Sequence, residues 1–450
     1  MKSSLARFTK FIPGTETVFL KKFIQTLKQE MIPLEIVDSN GKIYATAPGN
    51  IRHKLMIKDP KFFNALISPD AFSLGEAYVR GYFDVSGSIG ELYEMVCSKL
   101  LNTDQPQNFL AKNLLTSLSH RFVKAREREK QNIEHHYDVP SEFYRSFLGQ
   151  TMGYTCGYYG SKDATMSDAQ NEKMEIICKK LRLKKGESLL DIGCGWGNFA
   201  IYAAKNYHVQ VVGITLSAEQ KKYADQWIQQ EGLGDQIRTD IINYRDLGKE
   251  KFDKISCVGM SEHVGRVNMK RFYKAVFNCL QEEGLFLQHT ITTNTRHKRG
   301  YKNSFLDTFM FPGGELMLQQ ELIDLAAGSG FELLTAENFR VHYIKTLGDW
   351  IGRMEKNKAQ LLKIVSENIY RVYHVFFIGS LVSFRQKEIS LFQNLFYKSN
   401  SPSNPSGTTW NYFLTPFSEI GSKIEPETGP ETGSIKGSKD ESKFTGYPEV

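Results

Sequence analysis

Residues Ser188 to Ala200, SLLDIGCGWGNFA, constrain this chain more than any other stretch. The apolar start (Leu189, Leu190, Ile192) reads as a buried parallel strand, and Gly193, Gly195 and Gly197 let the backbone turn tightly beneath a bulky ligand before a helix over Phe199 to Lys205. Val209 to Thr215, VQVVGIT, is a second β-branched run, so strand, turn, helix and strand follow in βαβ order. The unit predicts an α/β, Rossmann-like fold whose ligands bind at the carboxyl ends of parallel strands. Asp191 stands where it can orient the charged end of a ligand, and Gly193 and Gly195 lack the Cβ that would obstruct a nucleoside. The second strand delivers Thr215, Leu216, Ser217, Ala218, Glu219 and Gln220 to the same edge, with Thr215 and Gln220 placed to reach a ribose. A dinucleotide fold carries GxGxxG and an acidic residue at the second strand end. Here GCGWG and a threonine favour a smaller nucleoside such as S-adenosylmethionine over NAD.

At 450 residues and 41% hydrophobic content, the chain can bury a full core in two or three domains. No apolar run approaches the roughly 20 residues of a membrane span, and the first residues lack the apolar centre of a secretory signal, which predicts a cytoplasmic protein. Six cysteines (97, 156, 178, 194, 257 and 279) form no CxxC pair, so neither a disulfide framework nor a zinc site is indicated. Net charge is +7; residues 401–450 hold four Lys and seven Asp or Glu, a local −3, so the first 400 residues carry +10. Such an excess suits an anionic surface, whether lipid headgroups or nucleic acid, although many enzymes of neutral substrates are as basic.

Residues 1–105 read as a small mixed α+β domain. Phe19 to Met31 is a predicted helix, and Leu34 to Val37 and Lys42 to Ala45 flank Ser39, Asn40 and Gly41 as a hairpin. A second helix covers Phe72 to Gly81. Over 106–135 the apolar Leu114, Leu115, Leu118, Phe122 and Ala125 share one face of a basic amphipathic helix, which can lie on an anionic bilayer or serve as a solvated connector. Residues 136–398 read as one α/β domain with further strands at Lys254 to Val258 and Leu285 to Ile291. The Pro, Gly, Ser and charge-rich 399–450 read as a disordered tail.

Four polar residues fall at strand ends or turns beside the nucleoside cleft: Cys156, Glu262, His289 and Tyr343. Each has a plain alternative, Cys156 as packing, Glu262 as a helix cap and His289 as a satisfied core imidazole. Together, a thiol, a carboxylate, an imidazole and a phenol can hold a small hydrogen-bonding anion in a desolvated pocket, and such an anion can act as a base. A metal is the competing reading, but Glu262, His263 and His289 lack a short ligand spacing such as HExxH.

From about residue 34 to 397 the chain resembles the cyclopropane-fatty-acyl-phospholipid synthases and their mycolic acid cyclopropane synthase relatives. The likeness is carried in order by LGEAYVRGYFDV, IEHHYDVPSEFY, MGYTCGYY, the long LLDIGCGWG to SAEQ segment, NYRDL, FDKISCVGMSEHVG, LQHTI and SFRQKEISLFQNLF. It implies a class I methyltransferase sheet with S-adenosylmethionine held by Tyr154 and Thr155, by Leu189, Leu190, Asp191, Ile192, Gly193, Cys194, Gly195, Trp196 and Gly197, by Thr215 to Gln220, and by Tyr244 with Arg245. The family's bicarbonate site maps onto Cys156, Glu262, His289 and Tyr343. The implied reaction passes a methylene to the cis double bond of an unsaturated acyl chain in a phospholipid, through a carbocation that bound bicarbonate deprotonates. The implied partners are phospholipid and an anionic membrane surface bound peripherally, with a homodimer as a further expectation and no nucleic acid. The aromatic segment Ser304 to Gly313 is a candidate acyl wall or lid, or ordinary core.

Two positions depart from the family pattern. Ser380 stands where many members carry a cysteine, so any catalytic role of that thiol is absent or altered, and activity is expected to survive because deprotonation needs no covalent adduct. Asn243 replaces a common aspartate near the adenine. Competing readings are a C- or N-methyltransferase of a lipid or small amine without ring closure, and a catalytically silent lipid-binding protein.

Overall fold

The computed structural model describes residues 16–46, 53–67, 71–96, 139–294, 305, 309–310 and 314–398. The connector helix expected over 106–135, the tail at 399–450 and most of the segment 304–313 lie outside them.

The amino-terminal part runs α1 (Glu16–Gln29), β1 (Leu34–Val37), β2 (Ile43–Ala45), β3 (His53–Ile57), α2 (Phe62–Ile67), α3 (Ala71–Val79), β4 (Phe83–Ser86) and α4 (Ile89–Val96). The strands form one sheet in the order β2-β1-β3-β4. The hairpin predicted around Ser39 to Gly41 is the antiparallel β1–β2 pair, with Glu35 opposite Ala45. Its turn closes because Asp38 Oδ1 accepts the backbone N–H of both Asn40 and Lys42 at 2.9 Å. Alternation along β1 sends Leu34 and Ile36 inward against Leu27 and Phe62, which gives this sheet its own apolar core.

The larger part continues α5 (Ser141–Leu148), α6 (Met166–Leu181), β5 (Ser188–Ile192), α7 (Asn198–Tyr207), β6 (Gln210–Thr215), α8 (Ala218–Gln230), β7 (Ile237–Ile241), β8 (Phe252–Val258), α9 (Arg266–Cys279), β9 (Leu280–Thr293), α10 (Gln319–Ala327), β10 (Phe331–Asn338), α11 (Arg340–Lys356), α12 (Lys358–Ile364), α13 (Glu367–Arg385) and β11 (Ile389–Lys398). Seven strands order as β10-β11-β9-β8-β5-β6-β7. β11 runs antiparallel to both its neighbours, while β9, β8, β5, β6 and β7 are parallel. This is the Rossmann-like sheet that the βαβ pattern predicts. Separate apolar clusters cover it, one holding Leu189 with Ile177 and Phe199, the other Leu190 with Phe272 and Tyr273.

Helix α13 joins the two sheets. The buried Arg371 guanidinium donates to Asp84 at 2.5 Å, to Glu367 at 2.8 Å and to the carbonyls of Tyr78 and Phe83 at 3.1 and 3.3 Å, so a charge taken out of water meets a full set of acceptors. Farther along the helix, Arg385 pairs with Glu94 at 2.8 Å. Gly75 of α3 lies under Phe305, whose ring edge would sit 3.0 Å from a Cβ placed there. The part of the chain carrying LGEAYVRGYF thus packs directly against the larger part.

Candidate active site

The end of β5 opens into a cleft of about 1110 Å³, measured out to open solvent. Its floor is backbone. The N–H groups of Gly193 and Cys194 both donate to the carbonyl of Ile214, at 2.9 and 3.0 Å, folding the glycine turn onto the neighbouring strand. Gly193 sits at φ +81°, and a Cβ there would fall 2.6 Å from the Cβ of Met260. Asp191 is buried and accepts a hydrogen bond from Ser256 Oγ at 2.8 Å; burial raises its pKa to about 6. On the other wall Thr215 Oγ1 donates to Gln220 Oε1 at 2.9 Å.

Of the residues expected at the cofactor, Tyr154, Thr155, Asp191, Ile192, Gly193, Cys194, Gly195, Trp196, Thr215, Leu216, Gln220 and Tyr244 line this cleft. The others do not. Leu189 and Leu190 lie earlier in the strand, inside the apolar layers on its two faces. Gly197 begins α7 and packs on Ala224, Ser217 caps α8 by accepting the N–H of Gln220 at 3.2 Å, and Ala218 and Glu219 open that helix toward solvent. Arg245 stacks its guanidinium 4.9 Å from the centre of the Tyr244 ring. Asn243 lines the cleft, and its Oδ1 accepts the N–H of Arg245 at 3.0 Å, a turn-capping contact that an aspartate would make equally well.

Lys173 is the charged lining residue that sequence reasoning missed. It is buried in α6, where it donates to Thr155 Oγ1 at 2.8 Å and to Gln170 Oε1 at 2.6 Å, and burial lowers its pKa to about 8. Gln170 returns a hydrogen bond to the Thr155 carbonyl at 2.8 Å, so two side chains clamp one threonine. His263 also lines the cleft, with a pKa lowered to about 4 by burial.

None of the four polar residues lines this cleft, although each is tied to residues close to it. Cys156 follows Thr155, and Glu262 precedes the lining His263. The His289 carbonyl accepts the N–H of Gly259 at 2.9 Å. Phe339, ahead of α11, ties three of them together: its carbonyl lies 3.9 Å from Cys156 Sγ and accepts the N–H of Tyr343 at 3.1 Å, and its ring meets that of His289 edge-on at 5.8 Å. The Tyr343 ring packs 4.8 Å from Phe384. Cys156 is buried, its thiol facing the Gly157 carbonyl at 3.1 Å, and burial raises its pKa strongly.

Glu262 is no helix cap. It lies in the short turn Ser261–His263, and Oε1 accepts the Ile291 N–H at 2.8 Å, whereas α9 begins at Gly265 with no side-chain cap. Its Oε2 is enclosed without a protein partner, and burial raises the carboxyl pKa to about 7. His289 is fully buried but only half satisfied: Nδ1 lies 3.2 Å from Gln393 Nε2, while Nε2 has no protein partner. Buried polar atoms left open in this way mark a place for a ligand that completes them. Ser380 lies on α13 and does not line the cleft.

Residues 124–394 match the family model for mycolic acid cyclopropane synthetase. A protein of Pseudomonas putida described as a probable fatty acid methyltransferase is 35% identical over 377 residues, 82% of this chain and 92% of its own length. The cyclopropane-fatty-acyl-phospholipid synthase of Escherichia coli strain K12 is 32% identical over 356 residues, 79% of this chain and 89% of its own. Among solved structures, the mycolic acid cyclopropane synthase CmaA1 complexed with SAH and CTAB superposes with a TM-score of 0.57 at 31% identity, covering 60% of this chain and 98% of that one.

Proposed function

The chain belongs to the mycolic acid cyclopropane synthetase family of S-adenosylmethionine-dependent methyltransferases, and from that premise we propose that it passes a methylene to the cis double bond of an unsaturated phospholipid acyl chain, closing a cyclopropane ring after bound bicarbonate removes a proton from a carbocation. The observation that carries this reading is that Glu262 Oε2 and His289 Nε2 are both buried without a protein partner. Bound S-adenosylmethionine supplies an electrophilic methyl on a sulfonium, and bound bicarbonate supplies a basic oxygen.

The rest is the work of this chain's residues. The glycine turn after β5 and the Thr215–Gln220 pair hold the donor in one orientation, which converts a bimolecular methyl transfer into an aligned one. Lys173 keeps Thr155, the neighbour of Cys156, fixed at the cleft wall. A carboxyl at Glu262 that titrates near neutral pH can donate through Oε2 to an oxyanion, and Cys156, His289 and Tyr343 offer further polar contacts around it. Enclosure of these groups keeps water from quenching a cation and makes each interaction count for more. Docking at an anionic membrane surface is supported by the +10 charge of the first 400 residues. Among the described residues no helix is long and apolar enough to cross a membrane.

A second reading, C-methylation of the lipid chain without ring closure, is favoured by the description of the Pseudomonas putida relative as a probable fatty acid methyltransferase. Both products gain one CH2, so mass alone cannot separate them. Phospholipids from a host expressing the protein, analysed by mass spectrometry and proton NMR, should show the added methylene with ring protons and lost vinyl protons. Retained vinyl signals with a new methyl group would establish the second reading.

A further inference from the structure

Sheet register places three polar residues in one row across the edge of the large sheet: Glu337 of β10 stands opposite Gln393 of β11, and Gln393 stands opposite His289 of β9. Lys180, near the end of α6, reaches this row. Its ammonium donates to Gln393 Oε1 at 2.6 Å and to Glu337 Oε2 at 2.7 Å, and the lysine is buried while the Glu337 side chain remains 48% exposed.

The order of these contacts fixes a proton. A lysine ammonium has donors and no acceptor, so the Gln393 oxygen must face Lys180 and the amide NH2 must face His289. The ring nitrogen opposite that NH2, Nδ1 at 3.2 Å, then has to present a lone pair. A neutral imidazole with its lone pair on Nδ1 carries its proton on Nε2, the atom that has no protein partner. The charged form is disfavoured as well, since burial and the nearby ammonium groups of Lys173 and Lys180 hold the His289 pKa well below its ordinary value.

We infer that Lys180 and Gln393 are positioning residues that lock His289 as the Nε2–H tautomer, so that this imidazole serves as a hydrogen-bond donor to a small oxyanion in the pocket and not as the proton-removing base. The inference rests on the oxyanion reading above for the identity of the ligand, while the tautomer itself follows from the Lys180–Gln393–His289 contacts. It also explains a buried lysine at a distance from the cofactor cleft: without a fixed cation the Gln393 amide is free to turn over and present its oxygen to Nδ1–H.

The test is nitrogen NMR of the full chain labelled with 15N-histidine, with His289→Gln identifying the resonances. The expected wild-type spectrum shows a protonated Nε2 and an unprotonated Nδ1 at His289; a proton on Nδ1 would overturn the inference without any further variant. Gln393→Glu places a carboxylate against Nδ1, and the expected result is transfer of the proton to Nδ1 with a rise of about 10-fold or more in the bicarbonate concentration needed for half-maximal turnover, the scale of one lost buried donor. Lys180→Met should give a mixture of tautomers and an intermediate rise. Unchanged spectra and unchanged bicarbonate dependence in both variants would also overturn it. Wild-type turnover indifferent to bicarbonate, alongside a protonated Nε2, would remove the oxyanion reading and still support the tautomer assignment.

Discussion

The cofactor cleft and the proposed oxyanion site are made differently. The cleft is largely backbone, formed by consecutive strand ends and by glycine turns at positive φ between Asp191 and Gln220. The proposed oxyanion site consists of side chains, Cys156, Glu262, His289 and Tyr343, held by contacts such as Glu262 Oε1 with the Ile291 N–H. A backbone site tolerates changes in side-chain chemistry but no added Cβ where the chain turns tightly. A side-chain site has the opposite weakness: it keeps its shape when one polar atom is exchanged and loses its chemistry.

Glu262→Gln is the sharpest way to break this contrast. The amide preserves volume and an oxygen for the Ile291 N–H, but it can neither give a proton to the bound oxyanion nor take one from it, so turnover should fall by about 100-fold or more while S-adenosylmethionine affinity stays nearly intact. Single-turnover kinetics and calorimetric titration of the cofactor separate the two. Near-normal turnover would take Glu262 out of the reaction, and a parallel loss of cofactor binding would mean that cleft and pocket are one unit.

The converse prediction concerns the glycine turn. Gly193→Ala forces a Cβ toward Met260 at φ +81°, so cofactor affinity should weaken about 10-fold, the sum of left-handed strain and a close contact, with a smaller change in turnover at saturating cofactor. Gly195→Ala sharpens the comparison, because φ there is +55° and a Cβ meets nothing within 4 Å; its affinity should lie between wild type and Gly193→Ala. Equal losses in the two variants would show that φ alone, and not the Met260 contact, governs this turn.

The same contrast explains what was legible in the sequence. The β5–α7–β6 unit is local: an apolar run, a glycine turn and a second β-branched run within 30 or so residues carry their own periodicity. Side-chain direction was less legible, which is why Leu189 and Leu190 belong to the sheet core and not to the cleft surface. Cys156, Glu262, His289 and Tyr343 carry no spacing that would single them out, and they were grouped by polar chemistry at strand ends and turns together with the resemblance. Lys173 and Lys180 read as ordinary helix charges, since nothing in MSDAQNEKMEIICKKL says that both are buried. Gln393 meets His289 only because β11 inserts antiparallel between β9 and β10, a pairing set by long-range packing.

Stability against pH gives the smallest expected effect and the most direct reading of the pocket's cost. Glu262 has a folded-state pKa raised to about 7 by burial, against an ordinary value near 4.5. Below about pH 4.5 the carboxyl is protonated in the folded and unfolded chain alike, and it makes no difference to folding. As pH rises from there to about 7, the unfolded chain releases the proton readily and the folded chain resists, so wild type loses stability through this window and levels off above it. Glutamine has no proton to lose. The Tm of Glu262→Gln should therefore match wild type most closely near pH 4.5 and exceed it at pH 8 by a few degrees, on the order of 1 to 3 kcal/mol for an enclosed carboxyl that resists ionising. An advantage that instead shrinks as pH rises would mean that the ionised carboxylate is held by donors in the folded protein, and the pocket would then be built to receive a cation and not an oxyanion.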